Sequence, residues 1–186
     1  MKIPVVGFDP SLRNWGLAES YLDLETGMLD VPHLSLVQTT EPKGKQVRQN
    51  SHDLGAAEQL AVAALRAARK AKVVFVEVPV GSQSSRAMAS YGVCVGILGA
   101  IRAEGIPVIE VTAIEVKKHL SGNRTATKRE MIDAASTIYP EANFPKHNGR
   151  ITDKAEHVAD AIGAIHAGVL TPMFQNLMRL FATTKD

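Results

Sequence analysis

The chain opens on residues 3–8, an apolar run that meets its first charge at Asp9 and is stopped by Pro10. A run apolar on both faces reads as a buried strand, so residues 3–8 are the first strand, with an acid at its exit. After a turn at 11–14, residues 15–21 form a second strand. Leu24-Glu25-Thr26-Gly27 is a turn signal before a third strand at 34–39. Three strands in series with short links predict an antiparallel meander. Residues 41–49 are polar, with Pro42, Gly44 and three basic side chains, and read as a loop. From 49 to 71 the period changes: Leu54, Ala57, Leu60, Ala61, Ala64, Leu65 and Ala68 recur at the three-and-four spacing of one buried helix face. Arg66, Arg69, Lys70 and Lys72 crowd its end, where they complement the negative pole of the helix dipole first and form a DNA surface as the second reading. Residues 73–76 are a fourth strand ending at Glu77, and 81–85 are a polar loop. A second helix spans 86–104, with Met88, Tyr91, Val95, Leu98 and Ile101 as its apolar contacts. Its Gly92, Gly96 and Gly99 each lower helix propensity by about 1 kcal/mol and let another backbone approach closely, in tight packing or at a subunit interface. Gly105 closes that helix, and 106–111 are the fifth strand.

Three S/T/D-x-x-E signatures follow, each predicting a helix start: Thr112 with Glu115, Thr127 with Glu130, and Asp153 with Glu156. They open helices at 112–120, 127–138 and 153–170, with a loop at 121–126 and an irregular link at 139–150 that contains Pro140, Pro145 and Gly149. The tail from 171 holds one amphipathic helix through Phe174, Leu177 and Leu180. The order predicts an α/β fold, a mixed five-stranded sheet with helices on both faces. The expected organisation is one domain over 1–170 and a C-terminal tail over 171–186.

A length of 186 residues, with 45% hydrophobic and 22% charged, fits a folded domain with a full core. No run of about 18 apolar residues is present, so no membrane span is expected, and the N-terminus lacks a signal-peptide pattern. The single cysteine, Cys94, sits in an apolar stretch and reads as a small core residue. One unpaired cysteine favours a reducing, cytoplasmic setting. Net charge is only +2, but residues 112–154 carry eight Lys or Arg against five Asp or Glu. A basic surface beside acidic residues suits a polyanionic substrate together with a metal; composition by itself equally fits a solvated polar surface.

An acid at the end of a buried strand is costly unless it is paired. Asp9 before Pro10 also fits a simple turn closure, but two distant segments repeat the chemistry. Glu77 ends the fourth strand, and Asp153, Glu156, His157 and Asp160 fall at i, i+3, i+4 and i+7 on one helix face. Asp153 and Glu156 are assigned mainly to the capping box, which leaves His157 and Asp160 facing the core side. Asp9, Glu77, His157 and Asp160 are therefore the candidate metal-binding and catalytic set. Magnesium takes hard oxygen ligands and keeps several waters, and two such ions activate water and stabilise the leaving oxygen in phosphodiester cleavage. Asp9 is the candidate bridge between two ions, with Glu77 and Asp160 serving one each. His157 is a ligand or a proton shuttle, and an imidazole ligand shifts preference toward manganese. A Walker loop, a GxGxxG fingerprint and a serine nucleophile elbow are all absent. Spacing leaves other metal-dependent phosphate enzymes open.

Gly7-Phe8-Asp9-Pro10-Ser11-Leu12-Arg13-Asn14-Trp15-Gly16 resembles the first-strand motif of the RuvC family of Holliday junction resolvases, within the RNase H-like fold. Val74-Phe75-Val76-Glu77 resembles the strand carrying the family's second acid, and His157-Val158-Ala159-Asp160-Ala161 its closing helix. Gly105 to Val108, Val116-Lys117-Lys118, Gly122 and Lys128 match in order, so the similarity spans roughly 1–170. The resemblance implies a divalent-metal-dependent homodimer that binds four-way DNA junctions and nicks two strands symmetrically. It carries catalytic and metal roles onto Asp9, Glu77, His157 and Asp160, and DNA contacts onto Lys117, Lys118 and Lys128. The family often has an aromatic residue soon after the second acid, whereas Val78-Pro79-Val80 stands here. Two further readings stay open: an RNase H-fold nuclease acting on other branched DNA or on RNA–DNA hybrids, and a non-catalytic branched-DNA binding protein.

Overall fold

The computed structural model describes residues 1–40 and 48–183, with side chains through 180. The predicted loop at 41–49 lies almost wholly outside them. Strand β1 (Lys2–Asp9) is the centre of a five-stranded sheet. On one side it pairs antiparallel with β2 (Asn14–Asp23), which pairs antiparallel with β3 (His33–Gln38). On the other it pairs parallel with β4 (Val73–Glu77), which pairs parallel with β5 (Val108–Val111). The spatial order β3-β2-β1-β4-β5 is the expected mixed sheet with an antiparallel first half.

Alternation along the strands divides the core in two. Val6, Phe8, Trp15, Leu17, Val74 and Val76 face helices α1 (Gln49–Ala68) and α2 (Ser85–Ala103). Val5, Ala18, Leu22, Val73, Phe75 and Ile109 face α3 (Ala113–Ser121), α4 (Lys128–Ile138) and α5 (Ala155–Gly168). The same alternation turns Asp9 and Glu77 to the α5 side, as the next odd residues after Val5 and Gly7, and after Val73 and Phe75.

α5 crosses β1 and β2 at very close range. A Cβ built on Gly7 would stand 2.0 Å from the Ala161 carbonyl oxygen, and one on Gly16 would stand 2.0 Å from that of His157. Those two glycines admit the helix, and its Ala155, Ala159, Ala161 and Ala164 keep its own surface low.

Both capping boxes at Thr112/Glu115 and Thr127/Glu130 form as expected, with each threonine side chain accepting from the glutamate amide. The third does not. α5 begins at Ala155 with Lys154 as its N-cap and no side-chain cap bond, because the Glu156 carboxylate is drawn to Lys128 Nζ at 2.8 Å. The buried stripe of α1 also differs: Ala56, Leu60, Ala64, Ala67 and Ala68 are buried, while Leu54 is 71% exposed. Steps of three and four back from Leu60 reach either 57 or 56, and the sheet selects 56. The link at 139–150 contains a small hairpin, β6 (Lys146–His147) with β7 (Arg150–Ile151). Helix α6 (Pro172–Thr183) inserts Phe174 against Phe75, ring centroids 5.3 Å apart.

Tyr139 Oη, at the end of α4, and His166 Nε2, on α5, are hydrogen-bonded at 2.9 Å, and burial holds the His166 pKa below its ordinary value. The folded state therefore prefers neutral imidazole, while the unfolded chain takes up a proton first. Stability from this site is complete above the ordinary histidine value, about 6.5, and is lost as pH falls through and below it. Urea midpoints from pH 7 to 5 should fall more steeply for the natural protein than for His166→Gln; parallel curves would remove His166 as the source.

Candidate functional site

Register puts the two strand acids side by side. Phe8 pairs with Val76 in the parallel β1–β4 ladder, so Asp9 and Glu77 leave adjacent strands, about 4.8 Å apart in backbone, toward α5. The first turns of α5 lie over this point. His157 Nδ1 donates to Asp9 Oδ2 at 2.6 Å, with 19% and 16% of the two side chains exposed. Asp160, one turn further along α5, feels the charges of Asp9, Glu77 and Glu156. The fold thus brings Asp9, Glu77, His157 and Asp160, from three separated segments, to one rim of the sheet.

Their electrostatics are those of an acidic cluster short of cations. Burial, reinforced by Asp9, pushes the Glu77 carboxyl up to about 7. Burial with repulsion from Asp9 and Glu77 pushes Asp160 up to about 8. Burial also raises Asp9, against the pull of the His157 hydrogen bond. That same bond raises His157. Among the described residues, neither Glu77 nor Asp160 accepts a hydrogen bond, and the cation that Glu77 feels is Lys117. Carboxylates packed together without donors are unstable as anions unless a cation joins them, and hard oxygen donors of this kind suit magnesium or manganese. Among the described residues no three His, Cys, Asp or Glu side chains are already placed together so as to hold a metal ion. An open set is compatible with an ion that keeps several of its waters.

Glu156 belongs to this neighbourhood, which its assignment to a cap concealed. Its Oε1 lies 3.7 Å from His157 Nε2 and accepts from Lys128 Nζ, and its Oε2 is buried without a partner. Lys128 is therefore tied to the site through Glu156. Lys117, on α3, is the cation whose charge acts on Glu77. Lys118, the next residue, is exposed on another face of α3, and its charge acts on Glu115. Cys94 is fully buried, and burial raises its thiol to about 12, consistent with a core role.

No family model matches the sequence, and no curated protein matches it. Solved structures do. RuvC of T. thermophilus in complex with Holliday junction substrate aligns with a TM-score of 0.63 and 19% identity, over 88% of this chain and 93% of that one. A second Thermus thermophilus RuvC structure aligns at 0.63 and 20% identity, over 95% and 96%. The fold is RuvC-like, within the RNase H-like class. No helix among the described residues is long and apolar enough to cross a membrane.

Proposed function

We propose that this chain is a divalent-metal-dependent endonuclease that resolves four-way DNA junctions by paired symmetric phosphodiester cleavage. The observation that carries the reading is the convergence of Asp9, Glu77 and Asp160, with His157, on the α5 side of the sheet rim. Their carboxyls are held above the usual range by burial and mutual repulsion. The RuvC-like fold supports the substrate class, since the Thermus protein of that fold is bound to a Holliday junction substrate.

Asp9, Glu77 and Asp160 are the residues that would hold magnesium or manganese. When bound, such ions supply an activated water and charge stabilisation at the departing oxygen. The chain's own residues provide the rest. On the α5 side, buried Val158, Ala159 and Ala161 flank His157 and Asp160 and limit water around the carboxylates. His157, kept protonated to higher pH by Asp9, holds a proton it can deliver to the leaving oxygen. Lys117 and Lys128 stand beside the acidic cluster, where they neutralise phosphates on either side of the cut. Lys118 would bind more peripherally.

Cleavage of a labelled synthetic four-way junction, beside linear duplex and an RNA–DNA hybrid, with magnesium, manganese or chelator, tests the reading. Paired symmetric nicks that need metal and spare the duplex are expected. Preferential cutting of the hybrid would overturn the substrate assignment, and tight junction binding with no cutting would leave only a binding protein.

Two symmetric nicks require two active sites, and α2 offers a self-complementary surface. Its outer face presents Met88, Gly92, Val95, Gly96 and Gly99, with Met88 and Val95 47% and 46% exposed. A Cβ on any of the three glycines meets nothing within 4 Å, so the packing inside this chain does not require them. An exposed apolar, low-relief helix face fits an isologous interface. Sedimentation should give twice the chain mass for the natural protein and the single mass for folded Gly96→Glu. A dimer that survives this change would place the interface elsewhere.

A further inference from the structure

The β6–β7 hairpin lies outside the metal site, and its sequence, Lys146-His147-Asn148-Gly149-Arg150, carries cations on both strands. The turn is a two-residue Asn-Gly connection, with Asn148 at φ 48° and Gly149 at φ 76°. Both central residues therefore have the positive φ of a type I′ turn. All five residues are exposed. Among the described residues, the side chains of Lys146, His147 and Arg150 make no hydrogen bond or ion pair. The base is firmly seated by contrast. Phe144 is buried, Ile151 packs on the core, and the Thr152 amide donates to the Pro145 carbonyl at 3.0 Å. Asn143 clasps the Leu34 backbone in both directions, at 2.7 and 2.8 Å.

Placement gives this hairpin its meaning. Only residues 152–154 separate it from α5, whose first turn carries His157. Lys154 Nζ donates to Gln38 Oε1, and Gln38 Nε2 donates to Asn14 Oδ1, which ties the segment to the rim of the sheet where Asp9 leaves β1. The basic finger therefore rises from the same rim as the acidic cluster. Its tip is small and polar, with no aromatic or aliphatic group to wedge between bases. Lys146 pairs with Ile151 and His147 with Arg150, so His147 and Arg150 share one face of the rigid ribbon and Lys146 leaves the other; cations on both faces suit phosphate oxygens on either side of the ribbon.

We infer that the β6–β7 hairpin is a phosphate-gripping finger: Arg150, with His147 opposite it on one face, and Lys146 on the other face hold the backbone of the DNA arm leading into the metal site. This rests on the nuclease reading above for the identity of the polyanion, and it supplies a contact that no sequence motif assigned. The finger positions the arm without reading its sequence.

The test is junction binding by fluorescence anisotropy in chelator, from 50 to 200 mM salt, on the full chain. For Lys146→Ala/Arg150→Ala the slope of log affinity against log salt should drop by about two units, close to 0.9 for each lost phosphate contact, with an affinity loss of at least tenfold. Lys146→Gln/Arg150→Gln should repeat this, and both variants should keep the natural melting temperature. Lys70→Ala/Lys72→Ala removes the same charge at the opposite end of the sheet and should leave the slope as it was. An unchanged slope in the hairpin variants, or an equal drop in the Lys70/Lys72 control, overturns the finger. Failure of the nuclease reading looks different: hairpin-dependent binding persists, but the natural protein does not cut when metal is supplied. A natural protein that binds no DNA overturns both.

Discussion

Asp9→Asn is expected to abolish metal-dependent cleavage while leaving the fold at least as stable as before. On the proposed two-ion reading, loss of the Asp9 carboxylate would remove several kcal/mol of charge stabilisation in the transition state, so the rate should fall by about a thousandfold or more. The second half of the prediction is the less usual one. In the folded protein the Asp9 charge works against Glu77 and Asp160, raising both carboxyls. Asparagine keeps the size of the side chain and an oxygen that can accept from His157 Nδ1, but it ends that repulsion. Without metal, the variant's melting temperature should match or exceed that of the natural protein, and magnesium should no longer raise it. Junction binding should persist, because Lys117, Lys128 and the basic hairpin are untouched. A drop in melting temperature of several degrees together with lost cleavage would make Asp9 a structural residue, and cleavage retained within tenfold would remove it from the centre of the site.

Gly16→Ala should damage both stability and activity through a single methyl group. The added Cβ would stand 2.0 Å from the His157 carbonyl oxygen and 2.4 Å from its carbonyl carbon. Both are helix backbone, which cannot rotate aside as a side chain can. α5 must lift from β2 at the turn that bears His157, and His157 Nδ1 leaves Asp9. Overpacking of this kind costs about 1–3 kcal/mol or more. At about 3 kcal/mol the melting temperature falls by roughly 6–12 °C for a chain of this size. Cleavage should fall further than stability explains, and lowering the temperature to restore the folded population should not restore the rate. Gly55→Ala is the control: in α1 an added Cβ meets nothing within 4 Å, so it should stabilise by up to about 1 kcal/mol. A Gly16→Ala protein with natural stability and rate would show that α5 does not approach this closely.

Much of this site was readable in one dimension because strand alternation has a period of two. Once residues 3–8 and 73–76 are buried strands, Asp9 and Glu77 must exit them, and a helical i, i+3 pair places His157 and Asp160 together. The capping boxes at Thr112 and Thr127 were likewise local, since a threonine and a glutamate three residues on need only each other. Asp153 and Glu156 show where local reading ends. They carry the same signature, yet Glu156 turns to Lys128, 28 residues away, because a charged donor outside the segment competes with a backbone amide. The two-residue turn at Asn148-Gly149 is a strong hairpin signal, obscured because its flanks are polar and bury little.

Periodicity and residue chemistry were enough for the order of the strands and helices and for the mixed sheet, and they singled out Asp9, Glu77, His157 and Asp160 as candidates, because each of these readings starts from neighbours a few positions away. Whether Ala56 or Ala57 lies beneath the sheet, which lysine of the adjacent pair 117 and 118 looks at the carboxylates, and how near α5 comes to Gly7 and Gly16 depended on packing between distant segments. So did the shifted acidities of Glu77 and Asp160. Burial and the field of charges brought in from other elements exist only once the chain has closed around them.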